Sequence, residues 1–493
     1  MHFLQIKADF CENYAANWIF PVFILYCGCQ TKLKGVRQMS FLDDKYLLES
    51  ESAVAIYNAV KDLPVIDPHN HADVAEIAAN ANYPDAWKVF AATDHYVWEV
   101  MRKRGVEEKN ITGSATPKEK WMELARVMPE IAGNPVFEWI HLDLRRRFGI
   151  TDVLCTDNAE RIWNEVNAKL ATDAFKPLAL LEAMNVEVMC STDDPVDTLE
   201  YHTAVNEKAG RTVIRPTWRP DKSMRIHYPG FREYIAKLGE RFGVRIGSVA
   251  ELVKVLQMSH DYFAEKGCRA SDHDTPHPLP GKATLEEAEA IFKRAMAGEK
   301  MTQADIDTYQ DYLTLQVAAM DMRADWVYQL HMGVVRDVRN SLFESLGMDV
   351  GGDVSEFQID IVKPLCSFLN HFDDKLKIVL YCLEPCHQAA LTAVARAFGK
   401  NVRLGSAWWL NDQPYGMSTQ LEYIGNVDVY ACFGGMVSDS RKILSYASRF
   451  EMFRRTLANV LGGLVLKGRM PQEIAEKIAV MMCYTEPKKF FNV

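Results

Sequence analysis

Short apolar runs, most of them ending in polar residues, alternate with longer amphipathic stretches along most of this chain. Eight such runs occupy residues 63–71, 186–190, 212–218, 268–270, 326–330, 377–383, 402–406 and 427–433. Runs of this length and composition predict buried strands, and the apolar spacing between them predicts helices. Strands that alternate with helices form right-handed crossovers and a parallel sheet. The pattern therefore predicts an α/β fold of the closed (β/α)₈ TIM-barrel type.

The stretch between the first two predicted strands, residues 72–184, departs from this rhythm. Its apolar residues recur at helical spacing and are interrupted by glycines such as Gly105 and Gly133. The stretch is too long for a simple crossover helix, so we predict a large helical insertion at about 72–184. Residues 46–60 predict a helix before the first strand, and Thr284 followed by acidic residues predicts the start of another. Residues 39–493 are then expected to form one catalytic barrel domain.

The first 38 residues have a different character. Residues 18–29 form an apolar run that contains Pro21 and is too short to span a bilayer. The run resembles the core of a signal peptide, but Asp9 and Glu12 precede it and no small-residue cleavage site follows. Met39 stands directly before what looks like an ordinary domain start. We expect residues 1–38 to be an N-terminal extension outside the fold, with a secreted or lipid-anchored protein as the open alternative.

Composition narrows the class of protein. Of the 493 residues, 48% are hydrophobic and 25% are charged, which is typical of a globular domain, and the net charge of −10 argues against a nucleic-acid partner. The cysteines show no Cys-x-x-Cys spacing, which favours free thiols in a reducing compartment. We therefore expect a cytoplasmic protein with no membrane partner that forms a homo-oligomer.

Candidate chemistry lies where the predicted strands end. In a barrel of this type the active site is built from the carboxyl ends of the strands and the loops that follow. Polar strand ends are common in any fold, but these carry mainly His, Asp, Arg and Trp, whereas ordinary loops favour Ser, Asn, Gly and Lys. We interpret them as a functional rim, which comprises His69, His71, Asp193, Asp194, Arg219, Asp272, His273, His331, His387, Trp408, Asp439 and Arg441.

His69 and His71 are the first candidates for binding a metal ion. Residues two apart on a strand point to the same face, so both imidazoles could reach one zinc or similar divalent ion. A lone His-x-His motif is weak evidence, and ordinary loop or core histidines are the alternative. Asp439 follows the last predicted strand, which neighbours the first in a closed barrel.

Several long motifs occur in one order from about Met39 to the C-terminus. They are VIDPHNH, TDHYVW, WIHLDLRRRFGI, STDDP, PTWRPDK, GCRASDH, QLHMG, GSAWWLNDQPYGM and GMVSDSRKILSY. Together they resemble the uronate isomerase family of the amidohydrolase superfamily. The resemblance implies an aldose–ketose isomerase of hexuronate catabolism that interconverts D-glucuronate with D-fructuronate and D-galacturonate with D-tagaturonate.

The resemblance also implies roles for individual residues. His69, His71 and Asp439 match metal-site positions, and the expected cofactor is a divalent ion, with Zn²⁺ favoured. The remaining matches comprise the catalytic candidates Asp439, His95, Tyr96 and Arg441 and the substrate-binding candidates Arg219, His331 and Trp408. The chain departs from the better-known branch at residues 384–387, where Glu-Pro-Cys-His replaces an Asn-Pro-Arg motif. His387 is the candidate that could replace the missing arginine in binding substrate.

Two choices stay open at this point. The base that moves the proton could be Asp439 or the His95–Tyr96 pair, because metal ligation would lower the basicity of Asp439; Asp439 is slightly favoured. His331 could be a third metal ligand or a substrate contact, and the second is favoured. The alternatives to an isomerase are a metal-dependent hydrolase on the same barrel and an inactive sugar-acid binding protein.

Overall fold

Parallel strands covered by helices form the centre of the protein. The computed structural model describes residues 41–208 and 210–493, so the predictions made for residues 1–38 fall outside the described residues. The compact unit that carries the strands extends from Asp44 to Val493. Its strands are β1 (Val65–Asp67), β2 (Val186–Cys190), β3 (Val213–Arg215), β4 (Ala270–Thr275), β5 (Val327–Met332), β6 (Val334–Val335), β7 (Val354–Ser355), β8 (Lys377–Cys382) and β9 (Val402–Leu404).

Seven α-helices lie between β1 and β2, in the stretch predicted to be helical. They are α2 (Val74–Ala79), α3 (Ala86–Phe90), α4 (His95–Lys103), α5 (Pro117–Val127), α6 (Pro135–Phe148), α7 (Ala159–Leu170) and α8 (Pro177–Ala183). The other helices are α1 (Glu51–Val60), α9 (Glu200–Glu207), α10 (Asp221–Met224), α11 (Phe231–Arg241), α12 (Val249–Glu265), α13 (Leu285–Met296), α14 (Gln303–Ala324), α15 (Asn340–Leu346), α16 (Val362–His371), α17 (Gln388–Ala397), α18 (Pro414–Val427), α19 (Ser445–Leu466), α20 (Gln472–Val480) and α21 (Glu486–Phe491). None of the helices in the described ranges is long and apolar enough to cross a bilayer.

The strands pair in parallel, which confirms the predicted α/β class. One sheet has the order β1-β2-β3 and a second has the order β4-β5-β8-β9, while β6 and β7 form a small antiparallel hairpin. Single parallel bridges join Trp218 to Asp193 and to Ser271, between the two sheets. Most strand residues are buried on both faces, as in sheets that helices cover on both sides. The strands thus form two hydrogen-bonded sheets, and a continuous eight-stranded ladder is not present among the described residues.

The prediction of a strand at 427–433 is wrong. Helix α18 extends to Val427, and a 3₁₀ turn follows at Tyr430–Cys432. The apolar residues of this run lie at the end of a helix and in a turn, so an apolar composition did not indicate a strand here. The chain returns to the sheet only at Gly434, whose N–H donates to Leu404 O at 2.8 Å.

Local capping explains where two predicted helices begin. The Ser50 hydroxyl accepts from Ala53 N, so α1 starts at Glu51 rather than at residue 46. Thr284 and Glu287 form a reciprocal capping box, which confirms the predicted start of α13. Helix α1 then packs closely on α19, since a Cβ added at Gly462 would lie 2.8 Å from Ala53 N.

A buried histidine on α6 makes the stability of this helical layer depend on pH. His141 Nδ1 lies 2.6 Å from Phe137 O, and Leu154 N–H donates to its Nε2 at 2.9 Å. Burial lowers the pKa of His141 to about 4, although the hydrogen bond to Phe137 O opposes this. The unfolded chain, in which a histidine has a pKa of about 6.5, therefore binds more protons between these two values. Acid consequently favours unfolding in that range.

We expect the free energy of unfolding to fall as the pH drops from about 6.5 towards 4, partly because of His141. A His141→Gln variant should be less stable than the wild type at pH 7, and the gap should shrink by about 2 kcal/mol at pH 5. Urea unfolding at both pH values measures this difference in the free energy of unfolding, with the same slope against urea concentration used for both proteins. A gap that stays constant between pH 7 and pH 5 would contradict this assignment.

Candidate active site

A cavity of about 280 Å³ opens at the carboxyl ends of the strands. It brings together most of the residues predicted from the sequence, namely His69, His71, His95, Arg219, His331, Trp408, Asp439 and Arg441. Asp193 and Asp194 of the predicted rim also line it, whereas His273 does not. Tyr96 and His387 are the two predicted site residues that do not line this cavity.

His69, His71 and Asp439 converge at the base of the cavity. Asp439 Oδ1 lies 3.4 Å from His69 Nε2 and 3.3 Å from His71 Nε2. Two backbone hydrogen bonds fix this approach, from Asp439 N to His69 O at 3.2 Å and from His71 N to Ser440 O at 2.9 Å. The three side chains each offer one donor atom, and these atoms lie within 4.8 Å of one another. Two imidazole nitrogens and a carboxylate oxygen form a donor set that suits zinc and related divalent ions.

The histidines also set the charge state of Asp439. Burial alone would raise the pKa of Asp439, but the hydrogen bonds from His69 and His71 hold it well below the usual value of an aspartate. Burial lowers the pKa of His71, so its ring favours the neutral form that a metal ligand needs. A negative carboxylate thus faces two imidazole rings in a site that is closed to most solvent.

Asp272 lies behind His69 and is the centre of a second cluster of polar side chains. It is fully buried, and its carboxylate lies 2.8 Å from His331 Nδ1 and 3.6 Å from His69 Nδ1. Arg219 Nη1 donates to it at 3.0 Å. Burial would raise the pKa of Asp272, but Arg219 and then His69 hold it well below the usual range. His69, Asp272 and His331 form a second group of possible metal ligands that shares His69 with the first.

Sequence reasoning placed Asp272 on the rim but gave it no role. The predicted strand ended at Ala270, whereas β4 continues through Asp272 to Thr275. A polar triplet looks like a loop in the sequence, and only its burial identifies it as strand. In the β4–β5 ladder Asp272 pairs with Gln329, so no local sequence pattern indicated its contact with His331.

Arg219 is held by three aspartates around the cavity. Its guanidinium donates to Asp221 at 2.7 Å and to Asp272, and it lies 3.5 Å from Asp274. Burial would lower the pKa of Arg219, but Asp272 and Asp221 raise it above its ordinary value. Since the side chain is 19% exposed, this cation faces the cavity while remaining anchored from behind.

Two further arginines on the cavity, Arg225 and Arg336, were missed by sequence reasoning. Arg336 Nη2 lies 2.7 Å from Asp274 Oδ2, and Arg225 Nη2 lies 3.0 Å from the same oxygen. Both residues stand in loops away from any predicted strand end, so their position in the sequence carried no signal. Arg441 lies 3.6 Å from Asp349, which is also 3.9 Å from Arg336.

Two tryptophans and His95 form the wall nearest Asp439. Trp408 Nε1 donates to Asp439 Oδ2 at 3.0 Å, and the indole packs on His331 with ring centres 4.5 Å apart. His95 meets the edge of Trp409, with ring centres 5.4 Å apart. Burial, followed by the charge of Arg441, lowers the pKa of His95 to about 4. His95 is therefore neutral near pH 7 and is able to accept a proton.

Tyr96 and His387 point elsewhere. The Tyr96 hydroxyl lies 3.1 Å from both carboxylate oxygens of Asp412, behind the cavity wall. His387 belongs to a 3₁₀ turn, Pro385–His387, whose start is capped by Glu384. The structure therefore brings His95 onto the cavity without its sequence neighbour, and it leaves His387 outside.

A parallel α/β fold with histidine and aspartate donors at its strand ends is typical of metal-dependent α/β enzymes. Comparison with known proteins identifies the family. A family model described as glucuronate isomerase matches residues 39–491. A curated uronate isomerase from Thermotoga maritima is 47% identical over 451 residues, which cover 92% of this chain and 99% of that protein. The chain therefore belongs to the uronate isomerase family, which confirms the resemblance seen in its motifs.

Solved structures give the same result. A crystal structure of uronate isomerase from Thermotoga maritima shares 47% identity, with a TM-score of 0.90, and covers 92% of this chain and 100% of that chain. A crystal structure of glucuronate isomerase from Caulobacter crescentus shares 28% identity, with a TM-score of 0.86, and covers 92% and 97% of the two chains.

Proposed function

We propose that this protein interconverts hexuronate aldoses and ketoses, D-glucuronate with D-fructuronate and D-galacturonate with D-tagaturonate, in hexuronate catabolism. The observation that carries this proposal is the cavity itself, in which the Asp439 carboxylate faces two histidines and arginines share the lining. Isomerisation needs a base that moves a proton between C2 and C1, and a uronate also needs a cation for its carboxylate. The site supplies both in one small space.

We further propose that the two parallel sheets belong to one closed (β/α)₈ barrel of amidohydrolase type, interrupted by the helices of residues 72–184 and formed by residues 39–493. Hydrogen bonds across the gaps support closure. Besides the bridges of Trp218, Gly434 N–H donates to Leu404 O, and Ser438 N–H donates to the Asp67 carboxylate at 2.8 Å. In such a barrel these contacts would place residues 434–438 between β9 and β1, in the position of the eighth strand.

His69, His71 and Asp439 would hold the divalent ion, for which we propose Zn²⁺. The donor chemistry and the convergence of both imidazoles on one carboxylate oxygen support this assignment. A bound ion would polarise the substrate's oxygens as a Lewis acid. For His331 we propose a substrate contact, since its Nδ1 already faces Asp272 and its ring stacks on Tyr381.

Asp439 is our proposed base. Trp408 donates to Oδ2, so the indole fixes the carboxylate plane while Oδ1 faces the histidines. A positioned acid–base group of this kind contributes about 10²–10⁴-fold in rate. The neutral ring of His95 is the second candidate, and Arg441 stands next to both.

Arg219 is our proposed contact for the uronate carboxylate, and Arg441, beside Asp439, is a proposed catalytic residue. Both line the cavity, and an arginine can bind a carboxylate with two parallel, charge-assisted hydrogen bonds. A bound divalent ion together with these guanidinium groups would attract the uronate carboxylate locally, although the net charge of the protein is negative. Trp408 would form the wall against which the sugar ring packs. For His387 we propose a substrate-binding role, although the turn that carries it does not line the cavity.

We propose that the protein is cytoplasmic, forms a homo-oligomer and has no membrane or nucleic-acid partner. The cysteines that the structure describes are free thiols, which fits a reducing compartment.

A ketose assay tests the function directly. Purified protein should convert glucuronate to fructuronate, and galacturonate to tagaturonate, as measured with a coupled ketose reductase. Treatment with a chelator should lower the thermal unfolding midpoint, and added Zn²⁺ should restore it, because a ligand that binds only the folded state stabilises it. No ketose from either uronate would overturn the isomerase proposal, and an unchanged unfolding midpoint would overturn the metal assignment.

A further inference from the structure

A buried ion pair behind the cavity wall is the feature that the proposed chemistry leaves unexplained. Asp412 and Arg449 are 4% and 3% exposed and are joined by a hydrogen bond from Arg449 Nη1 to Asp412 Oδ2. Arg449 also lies 4.0 Å above the ring of Trp139. Neither residue lines the cavity, and burying two charges is costly, so the pair calls for an explanation other than substrate contact.

The Tyr96 hydroxyl is the third member of this cluster. It lies 3.1 Å from both oxygens of Asp412 and accepts from Leu410 N–H at 3.2 Å. The hydrogen bonds of Asp412 thus hold the first turn of α4 against the turn at residues 408–412. His95 is the first residue of α4, so the same contact fixes the start of the helix that carries His95.

The turn at residues 408–412 needs this support because its backbone is strained. Trp409 has φ of 28° and Leu410 has φ of 50°, both in the left-handed region that bulky side chains avoid. Such residues cost about 1–3 kcal/mol each and persist only where the surroundings fix them. The strained turn is what places the Trp408 indole on Asp439 and the Trp409 ring against His95.

We propose that Asp412 and Arg449 are positioning residues for the isomerase reaction. Their ion pair holds the turn at residues 408–412, and through the turn it sets the orientation of Trp408 on Asp439 and of Trp409 on His95. The proposal rests on the proposed function, because it assigns these residues to the reaction proposed above. Neither residue touches substrate; both act through the tryptophans.

A second ion pair on the same helix provides a matched control. Glu451 on α19 accepts from Arg146 at 2.8 Å and from Arg455 at 2.9 Å, and its carboxylate is mostly buried. These three residues do not line the cavity. A change at Glu451 therefore removes a comparable carboxylate, one that pairs with an arginine of α19 as Asp412 does, without reaching the turn.

The test compares Asp412→Asn with Glu451→Gln in the ketose assay and in thermal unfolding. Asparagine keeps the size of Asp412 but removes the charge that holds Arg449. We expect kcat to fall about 10- to 100-fold in Asp412→Asn while KM changes less than about three-fold, since small displacements at a reacting centre cost this much. Glu451→Gln should lose a similar amount of thermal stability and keep kcat within about two-fold of the wild type.

Tyr96→Phe keeps the test decisive should Asp412→Asn fail to fold, because it removes only one hydroxyl from the cluster. This variant should also have a lower kcat with little change in KM. In the double variant Tyr96→Phe with Asp412→Asn, the fold-decrease in kcat should be no larger than the product of the two single decreases. Normal kcat in a folded Asp412→Asn or, failing that, Tyr96→Phe variant would overturn the proposal. So would an equal loss of kcat in Glu451→Gln. Failure of the proposed function would show separately, as a wild-type protein inactive on both uronates.

Discussion

Asp439→Asn should reduce kcat for glucuronate by about 10²–10⁴-fold, the range that a positioned acid–base group contributes. Asparagine occupies nearly the same volume, but it lacks the charge that attracts His69 and His71 at 3.4 and 3.3 Å. Its amide also cannot accept a proton from the substrate's C2. The loss should therefore appear in kcat more than in KM.

Metal content separates two reasons for such a loss. Asp439 is both our proposed base and a proposed ligand, so the variant should be analysed for bound zinc before and after incubation with excess Zn²⁺. An inactive variant with full metal content supports the role as base. Near-normal kcat in the folded variant would contradict that role and would assign proton transfer to His95, which is neutral because burial and Arg441 lower its pKa to about 4.

Arg219→Met should lower the stability of the protein by about 3–5 kcal/mol, the usual cost of removing one partner from a buried ion pair. Methionine leaves Asp272 and Asp221 without their strongest cation, and Asp272 is fully buried. The same change should raise KM for uronates far more than for neutral aldoses, because only uronates have a carboxylate to lose its cation. Chemical unfolding and the ketose assay measure the two effects.

Arg225→Met is the matched control for this variant. Arg225 also lines the cavity and pairs with Asp274, at 3.0 Å, but among its ion pairs none reaches Asp272. Its replacement should therefore cost less stability than that of Arg219. If Arg219→Met affects uronates and neutral aldoses equally, Arg219 holds the site together but does not bind the carboxylate.

The strands that the sequence predicts best are those made mostly of apolar residues. β2, β5 and β8 were predicted within two residues of their observed ends, because apolar residues dominate them even though Glu187 interrupts β2 and Gln329 interrupts β5. The prediction failed where that rule fails. β4 carries buried Ser271, Asp272 and His273, which contact side chains of α14 and β5, and such partners are invisible in a local pattern.

The predicted site residues that the structure brings together at the cavity lie in recognisable sequence motifs. His69, His71 and Asp439 meet although the strand predicted before Asp439 does not exist, because hydrogen bonds from Ser438 and Asp439 restore the chain's path beside β1. Adjacent motif residues were harder to interpret. His95 and Tyr96 are consecutive on α4, and successive helical residues point about 100° apart, so only one of them faces the cavity.

The hydrogen bond from Ser438 to Asp67 joins residues 371 positions apart. During synthesis, the ribosome releases His69 and His71 long before Asp439 exists. The nascent chain can therefore assemble most of its sheet, but it cannot complete the proposed metal-ligand set until its last ninth is synthesised. A chain truncated before Asp439 would thus carry two of the three proposed metal ligands and would lack the proposed base, so we expect activity only after nearly the whole chain has been translated.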